Sequence, residues 1–270
     1  MIRTHDVAAL PAVLLALGIP FAACAQDADA LAKQLSNPIS SLTSVPLQLN
    51  WDTGYGDDDG DRYLLNVQPV IPVSISEDWN MISRTIVPIV SQDGVVPGEG
   101  SQFGLGDTTQ SLFFSPKALT KGGWTWGIGP AFLIPTATDD LLGTEKWGAG
   151  PTAVMLRQTE THWTYGFLMN HIWSFAGADD RADVNQTFLQ PFLAKGLGKG
   201  RTLSFNFESS YDWEGDQWSV PFNVSYSKVG HIGKQMVSWQ GGARYWFETP
   251  EDGPDWGVRF VLTLLYPHKQ

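Results

Sequence analysis

Beyond residue 25 the chain has no apolar run near the roughly 18 residues that a spanning helix needs. Any membrane span must therefore be made of strands. Cysteine is nearly absent: Cys24 is the single one in 270 residues, so no intramolecular disulfide framework holds this fold. Charge is scarce too, at 17%. What there is leans acidic, with 17 Lys and Arg against 28 Asp and Glu and a net charge of −11. Such a chain cannot neutralise phosphates in bulk, which excludes nucleic acid as an expected partner.

Low charge alongside a mean hydropathy of only −0.12 fits strands whose polar and apolar residues alternate and average out. Tryptophan (12) and glycine (28) are both abundant, and tryptophan is at home at membrane interfaces as well as in cores.

The N terminus reads as an export signal. Arg3 starts it, and an apolar stretch runs from Val7 to Ala25, broken by Pro11 and Pro20. "ACA-QDADA" then supplies an A-x-A pattern for cleavage between Ala25 and Gln26. "FAAC" also resembles a lipobox with Phe21 in place of Leu, so lipidation at Cys24 is the alternative to its removal. The expected organisation is a signal peptide over 1–25, a periplasmic segment with a short helix over 26–44, and a β-barrel over 45–267. Leu31 and Leu35, four apart and closed off by Pro38, predict the helix within Gln26–Ser40.

From Val45 onward, strand signals recur about every 20 residues between Gly, Asp and Pro turns. Twelve segments emerge: "VPLQLNWD", "RYLLNVQPVIPVSI", "MISRTIVPIV", "DTTQSLFFS", "WTWGIGPAFLIP", "WGAGPTAVMLRQ", "WTYGFLMNHIWSF", "VNQTFLQPFLA", the two arms of "TLSFNFESSYDWEGDQWSVPFNVSY", "MVSWQGGARYW" and "WGVRFVLTLLY". In most, one face is aromatic or aliphatic and the other small or polar; in "MISRTIVPIV" both parities carry apolar residues. Prolines within several strands (Pro69, Pro88, Pro130, Pro151, Pro191, Pro221) predict bulges or breaks.

The connections separate a membrane barrel from a soluble sandwich. The odd-numbered ones, such as "TGYGDDDGD", "TATDDLLGTEK" and "ETPEDGPD", are long or acidic. Three of the even ones carry Lys117, Lys121, Lys195, Lys199, Arg201, Lys228 and Lys234. A sandwich gives no reason for such a split, whereas a barrel with two different ends does. Trp51, Trp147, Trp173, Trp213, Trp218, Trp246 and Trp256 fall near the acidic connections and Trp79, Trp124 and Trp163 near the others, as two interfacial girdles would. Trp126 and Trp239 lie deeper in their strands.

Taken together, "LAKQLSNPISSLTSVPLQ", "LNVQPVIPVSISEDWNMISRTIVPIV", "QFGLGDTTQSLFFSP", "PTATDD", "KWGAGPTAV", "NHIWSFAG", "DVNQTFLQPFL", "YDWEGDQWSVPFN" and "GARYW" resemble a family of Gram-negative outer-membrane β-barrels. Its members are often labelled transporters or, misleadingly, neuromedin U, and are related to the barrels of the phenol meta-pathway degradation group. The resemblance spans nearly all of the mature chain. It implies an outer-membrane barrel of about twelve strands and leaves the solute undefined.

Short motifs add little. Gly148–Ala153 matches G-x-G-x-x-A but is followed by strand residues rather than a helix. "GLGKGR" lacks P-loop spacing. Asp57, Asp59 and Asp61 are weak cation candidates, since Arg62 stands where a calcium loop wants Gly. In "NHIWS", His171 shares parity with Met169 and Trp173 and is expected to face lipid, with Asn170 and Ser174 on the other face. A Ser–His relay within one strand is thereby excluded.

The candidates that remain point inward: Asn66, Gln68, Arg84, Asp107, Asn206, Glu208, Asn223, Arg244 and Arg259. An Arg or Lys turned toward lipid near the midplane costs roughly 2–4 kcal/mol. Small inward residues (Gly127, Gly129, Gly166, Ser204, Ser225) favour a narrow lumen over a filled one. The function expected is passive passage of small solutes through that lumen, with no cofactor and with lipid and lipopolysaccharide around it. The alternatives are a structural or adhesive barrel without an open path and, more remotely, a lipid hydrolase using His171.

Overall fold

The computed structural model describes residues 21–56 and 59–267. The expected leader lies outside the described residues as far as Pro20. Helix α1 (Phe21–Leu35) begins there and runs through the expected cleavage site. The strand segments are β1 (Thr43–Tyr55), β2 (Gly60–Val67), β3 (Val70–Ser74), β4 (Trp79–Asp93), β5 (Gln102–Leu105), β6 (Thr108–Pro116), β7 (Trp124–Ile134), β8 (Lys146–Gln158), β9 (Trp163–Gly177), β10 (Asn185–Gly198), β11 (Arg201–Phe207), β12 (Ser209–Asp212), β13 (Gln217–Ser219), β14 (Pro221–Ile232), β15 (Gln235–Trp246) and β16 (Trp256–Tyr266).

The segments β2/β3, β5/β6, β11/β12 and β13/β14 are each one stave broken in the middle, so the wall has 12 staves. Every neighbouring pair is antiparallel, and β1 closes the barrel against β16 from Thr43↔Tyr266 to Thr53↔Trp256. Closure removes every sheet edge, as a lipid-spanning sheet requires. At some prolines, which withhold an N–H, pairing lapses, while Pro88 and Pro191 stay in register. Pro130 and Pro151 face each other across β7 and β8, and their flanking registers to β6 and β9 skip those positions. "QFGL", read from sequence as loop, is instead strand β5, paired to β4 through Gln92↔Gln102 to Ile89↔Leu105.

The barrel is inside-out with respect to a soluble fold. In β16, Arg259 is 4% exposed while its neighbour Phe260 is 60% exposed. Phe175, Phe103, Tyr245 and Trp173 are likewise outside. Only lipid makes such a surface stable. At the acidic end Trp51 stacks on Tyr63 and meets Trp256 edge-on at 5.8 Å. At the basic end Trp79 meets Trp126 and Trp124 meets Tyr165. Trp246 departs from the girdle expected of it: it is buried over the Arg244 guanidinium, 4.6 Å from ring centroid to Cζ.

The interior has two unlike flanks. One is an ordinary apolar core of Ile39, Ile82, Phe113, Val154, Leu156 and Leu168. A uniformly polar interior is therefore not what this sequence builds. Ile39 enters from the N-terminal segment, and Gly127 makes room for it: a Cβ there would stand 3.3 Å from Ile39 Cδ1. The other flank, formed by β11, β14, β15, β16, β1 and β2, carries the polar side chains. The segment enters at the basic end. Leu31 and Ala32 of α1 pack on Leu42, Val229 and Leu265. The Gly200 N–H donates to Asp29 Oδ1 (2.6 Å), and Gln158 Nε2 to the Lys33 carbonyl (2.7 Å).

Candidate functional site

The polar flank converges on one network at mid-barrel. Along β1, Gln48, Asn50 and Asp52 share the inward parity. Along β16 the same alternation aims Arg259 inward, directly opposite Asn50 in the register. Arg259 Nε donates to Asn50 Oδ1 (2.7 Å), and its two terminal nitrogens fork onto Glu208 Oε1 and Oε2 at 2.7 Å each. Arg244 Nη1 donates to both oxygens of Asp52 (2.7 and 2.6 Å), and its Nε to Asn223 Oδ1 (3.1 Å). Asn223 in turn donates to Asn206 (2.9 Å), and Arg244 Nη2 lies 3.9 Å from Glu208. Glu208 reaches this position because it interrupts its stave between β11 and β12, with its own N–H donating to the Pro221 carbonyl.

Open space lies on both sides of this network. Toward the acidic end is a cavity of about 620 Å³ bounded by Asp52, Tyr55, Arg62, Glu208, Arg244 and Trp246, among others. Toward the basic end are two smaller cavities, about 230 and 210 Å³, which share Arg84, Ser204 and Gln240. The levels follow the staves: Gln48 lines the inner space, Asn50 is in the network, and Asp52 borders the outer space.

Of the residues singled out from sequence, Asn206, Glu208, Asn223, Arg244 and Arg259 thus come together. Arg84 donates to Gln68 Oε1 (3.1 Å) one level below. Asn66 faces Gln48 across β1 and β2. Asp107 is placed differently from the expectation: its carboxylate accepts from Ala137 N (3.2 Å), Thr144 N (2.6 Å) and Thr144 Oγ1 (2.7 Å), and so folds the connection between β7 and β8 back onto the wall. Asp107→Ala leaves those donors unmatched, a loss of about 1–3 kcal/mol. Limited proteolysis is expected to nick the 135–145 connection faster in that variant than in the parent chain.

Sequence reasoning missed Asn50, Asp52 and Arg62. The first two were legible by parity with Gln48. Arg62 follows by register, since it stands opposite Asp52.

Asp57 lies outside the described residues. Asp59 sits in the hairpin turn with φ of 52°, and Asp61 accepts from the Trp51 indole (2.9 Å). Among the described residues no three His, Cys, Asp or Glu side chains group to hold a metal ion. His171 is on the outer face, its Nδ1 2.7 Å from Thr187 Oγ1, which also accepts from Trp213 Nε1. Among the described residues its Nε2 is buried without a partner, so none of them orients this imidazole from that side as a relay needs. Ser174 donates instead to Asp183 (3.1 Å). Hydrogen bonds from Lys146 and then Ser174 hold the Asp183 carboxyl below the usual aspartate range, so this tie between neighbouring connections at the acidic end persists until the pH falls through that lowered value.

No family model matches the chain, and no curated protein does. Among solved structures it is similar to an outer membrane channel from Pseudomonas putida F1, with a TM-score of 0.65 and 14% identity over 84% of this chain and 96% of that one. Outer membrane phospholipase A from Escherichia coli follows at a TM-score of 0.49 and 10% identity, over 83% and 90% of the two chains. The likeness to the Pseudomonas channel is one of fold.

Proposed function

We propose that this chain is an outer-membrane channel that passes small anions along the polar flank of its lumen. The observation that carries the reading is the charge balance there. In the network and the inner cavity, Arg84, Arg244 and Arg259 stand against Asp52 and Glu208, while the outer cavity adds Arg62 with Glu251 and Asp252 at its border. From the network to the inner cavity the described lumen therefore holds a cationic excess, inside a chain whose net charge is −11. Charge lining a narrow path sets its selectivity. The fold shared with a channel and the resemblance to transporter-labelled barrels agree with this reading. So does the acidic and basic polarity of the two ends, which agrees with a periplasmic position for α1.

Purified protein in a planar bilayer under a potassium chloride gradient is expected to show a reversal potential of the sign for chloride. Arg84→Gln is expected to move it toward zero. A cation-selective current would overturn the reading. A structural barrel with no open path is the second reading, favoured by the network that bridges the lumen between the cavities. Silence in every condition would decide for it.

A further inference from the structure

The inner cavity has an unusual wall. Of all the residues that line its 230 Å³, Arg84 is the one with a charge. The rest of the polar wall is hydroxyls and amides, among them Ser36, Asn37, Gln68, Ser204, Ser238 and Gln240. A guanidinium carries five N–H donors. Among the described residues Arg84 has a single hydrogen bond, to Gln68, and no carboxylate within 4.0 Å. Glu208, the nearest acid in the lumen, is already forked by Arg259. Arg84 therefore stands, among the described residues, as a cation with no carboxylate bonded to it, in a hydroxyl-rich chamber.

We infer that this chamber is a binding site for a small polyhydroxylated monocarboxylate, an acid of the aldonate type. The carboxylate would take the Arg84 fork in the two-bond geometry that arginine offers. Its hydroxyls would exchange hydrogen bonds with the Ser, Asn and Gln side chains around it. The cavity equals the room of about seven or eight waters at roughly 30 Å³ each, which suits a short sugar acid. A neutral polyol leaves the guanidinium unmatched. An aliphatic acid strips water from the wall hydroxyls and returns nothing, which a site built to hydrogen-bond its ligand penalises. This inference rests on the channel reading for its purpose, but binding can be measured without current.

The test is titration calorimetry on the full-length, detergent-solubilised barrel with gluconate, glucitol and hexanoate. Gluconate is expected to bind, and Arg84→Gln to weaken it about tenfold or more. Arg84→Lys keeps the charge but not the fork and is expected to fall between. Each variant's heat-modified gel mobility reports whether it is folded. Equal gluconate affinity in the parent and in Arg84→Gln would overturn the site. Glucitol or hexanoate binding as well as gluconate would overturn the ligand class. Arg84-dependent binding without bilayer current sinks the channel reading alone, and anion current without such binding sinks this inference alone.

Discussion

Replacing Glu208 with Ala is expected to destabilise the barrel by about 3–5 kcal/mol, the magnitude that follows when one partner of a buried ion pair is removed. The side chain answers both Arg259, through two bonds of 2.7 Å, and Arg244, at 3.9 Å. Its loss leaves two buried guanidiniums with Asp52 as their one carboxylate. Equilibrium unfolding in urea, followed by tryptophan fluorescence, would measure the change. Glu208→Gln keeps an acceptor and should lose less than Ala. The same variants should conduct anions with higher selectivity, because the cationic excess grows. A loss below about 1 kcal/mol, the level of an exposed pair, would mean that water already screens the network.

The second large effect concerns the N-terminal segment. Removing residues 26–42 takes away Leu31, Ala32, Ile39 and Leu42, which fill the basic end and supply one member of the apolar core. Single-channel conductance is expected to rise severalfold, because the inner cavity is bounded on one side by Ser36, Asn37 and Pro38 and would then open directly to solution at the basic end. Barrel closure is made by β1 and β16, which begin at Thr43 and end at Tyr266, so the deletion leaves the seam intact. Unchanged conductance would place the constriction in the arginine–carboxylate network instead.

Much of this architecture was legible before any coordinates, because a lipid-facing barrel writes its two faces into the sequence with period two. "WGVRFVLTLLY" shows why. Its bulky residues at Trp256, Phe260 and Tyr266 face out, and Arg259 is buried. The apolar flank was not legible. In "MISRTIVPIV" both parities are apolar because Ile82 and Val90 are buried inside while other residues of the strand face lipid. Alternation cannot separate two kinds of apolar surroundings. Nor could it show that Ile39, which precedes the first strand, would fill the space beside Phe113. Asp107 misled for a related reason. It sits at a break between β5 and β6, where strand parity ceases to say which way a side chain points.

The closing seam has a consequence for how the molecule comes to exist in time. Arg259 and its acceptor Asn50 are 209 residues apart in the chain, and Arg244 and Asp52 are 192 apart. Pairings of such long range form late, after the loop entropy between them has been overcome. The network therefore cannot assemble until β1 meets β16. The N-terminal segment leads directly into β1, so it lies beside the seam when the seam forms. Assembly thus has an order: the seam zips first and the arginines pair across it afterwards. A chain caught before the seam closes would be an open-edged sheet with its arginines still unpaired.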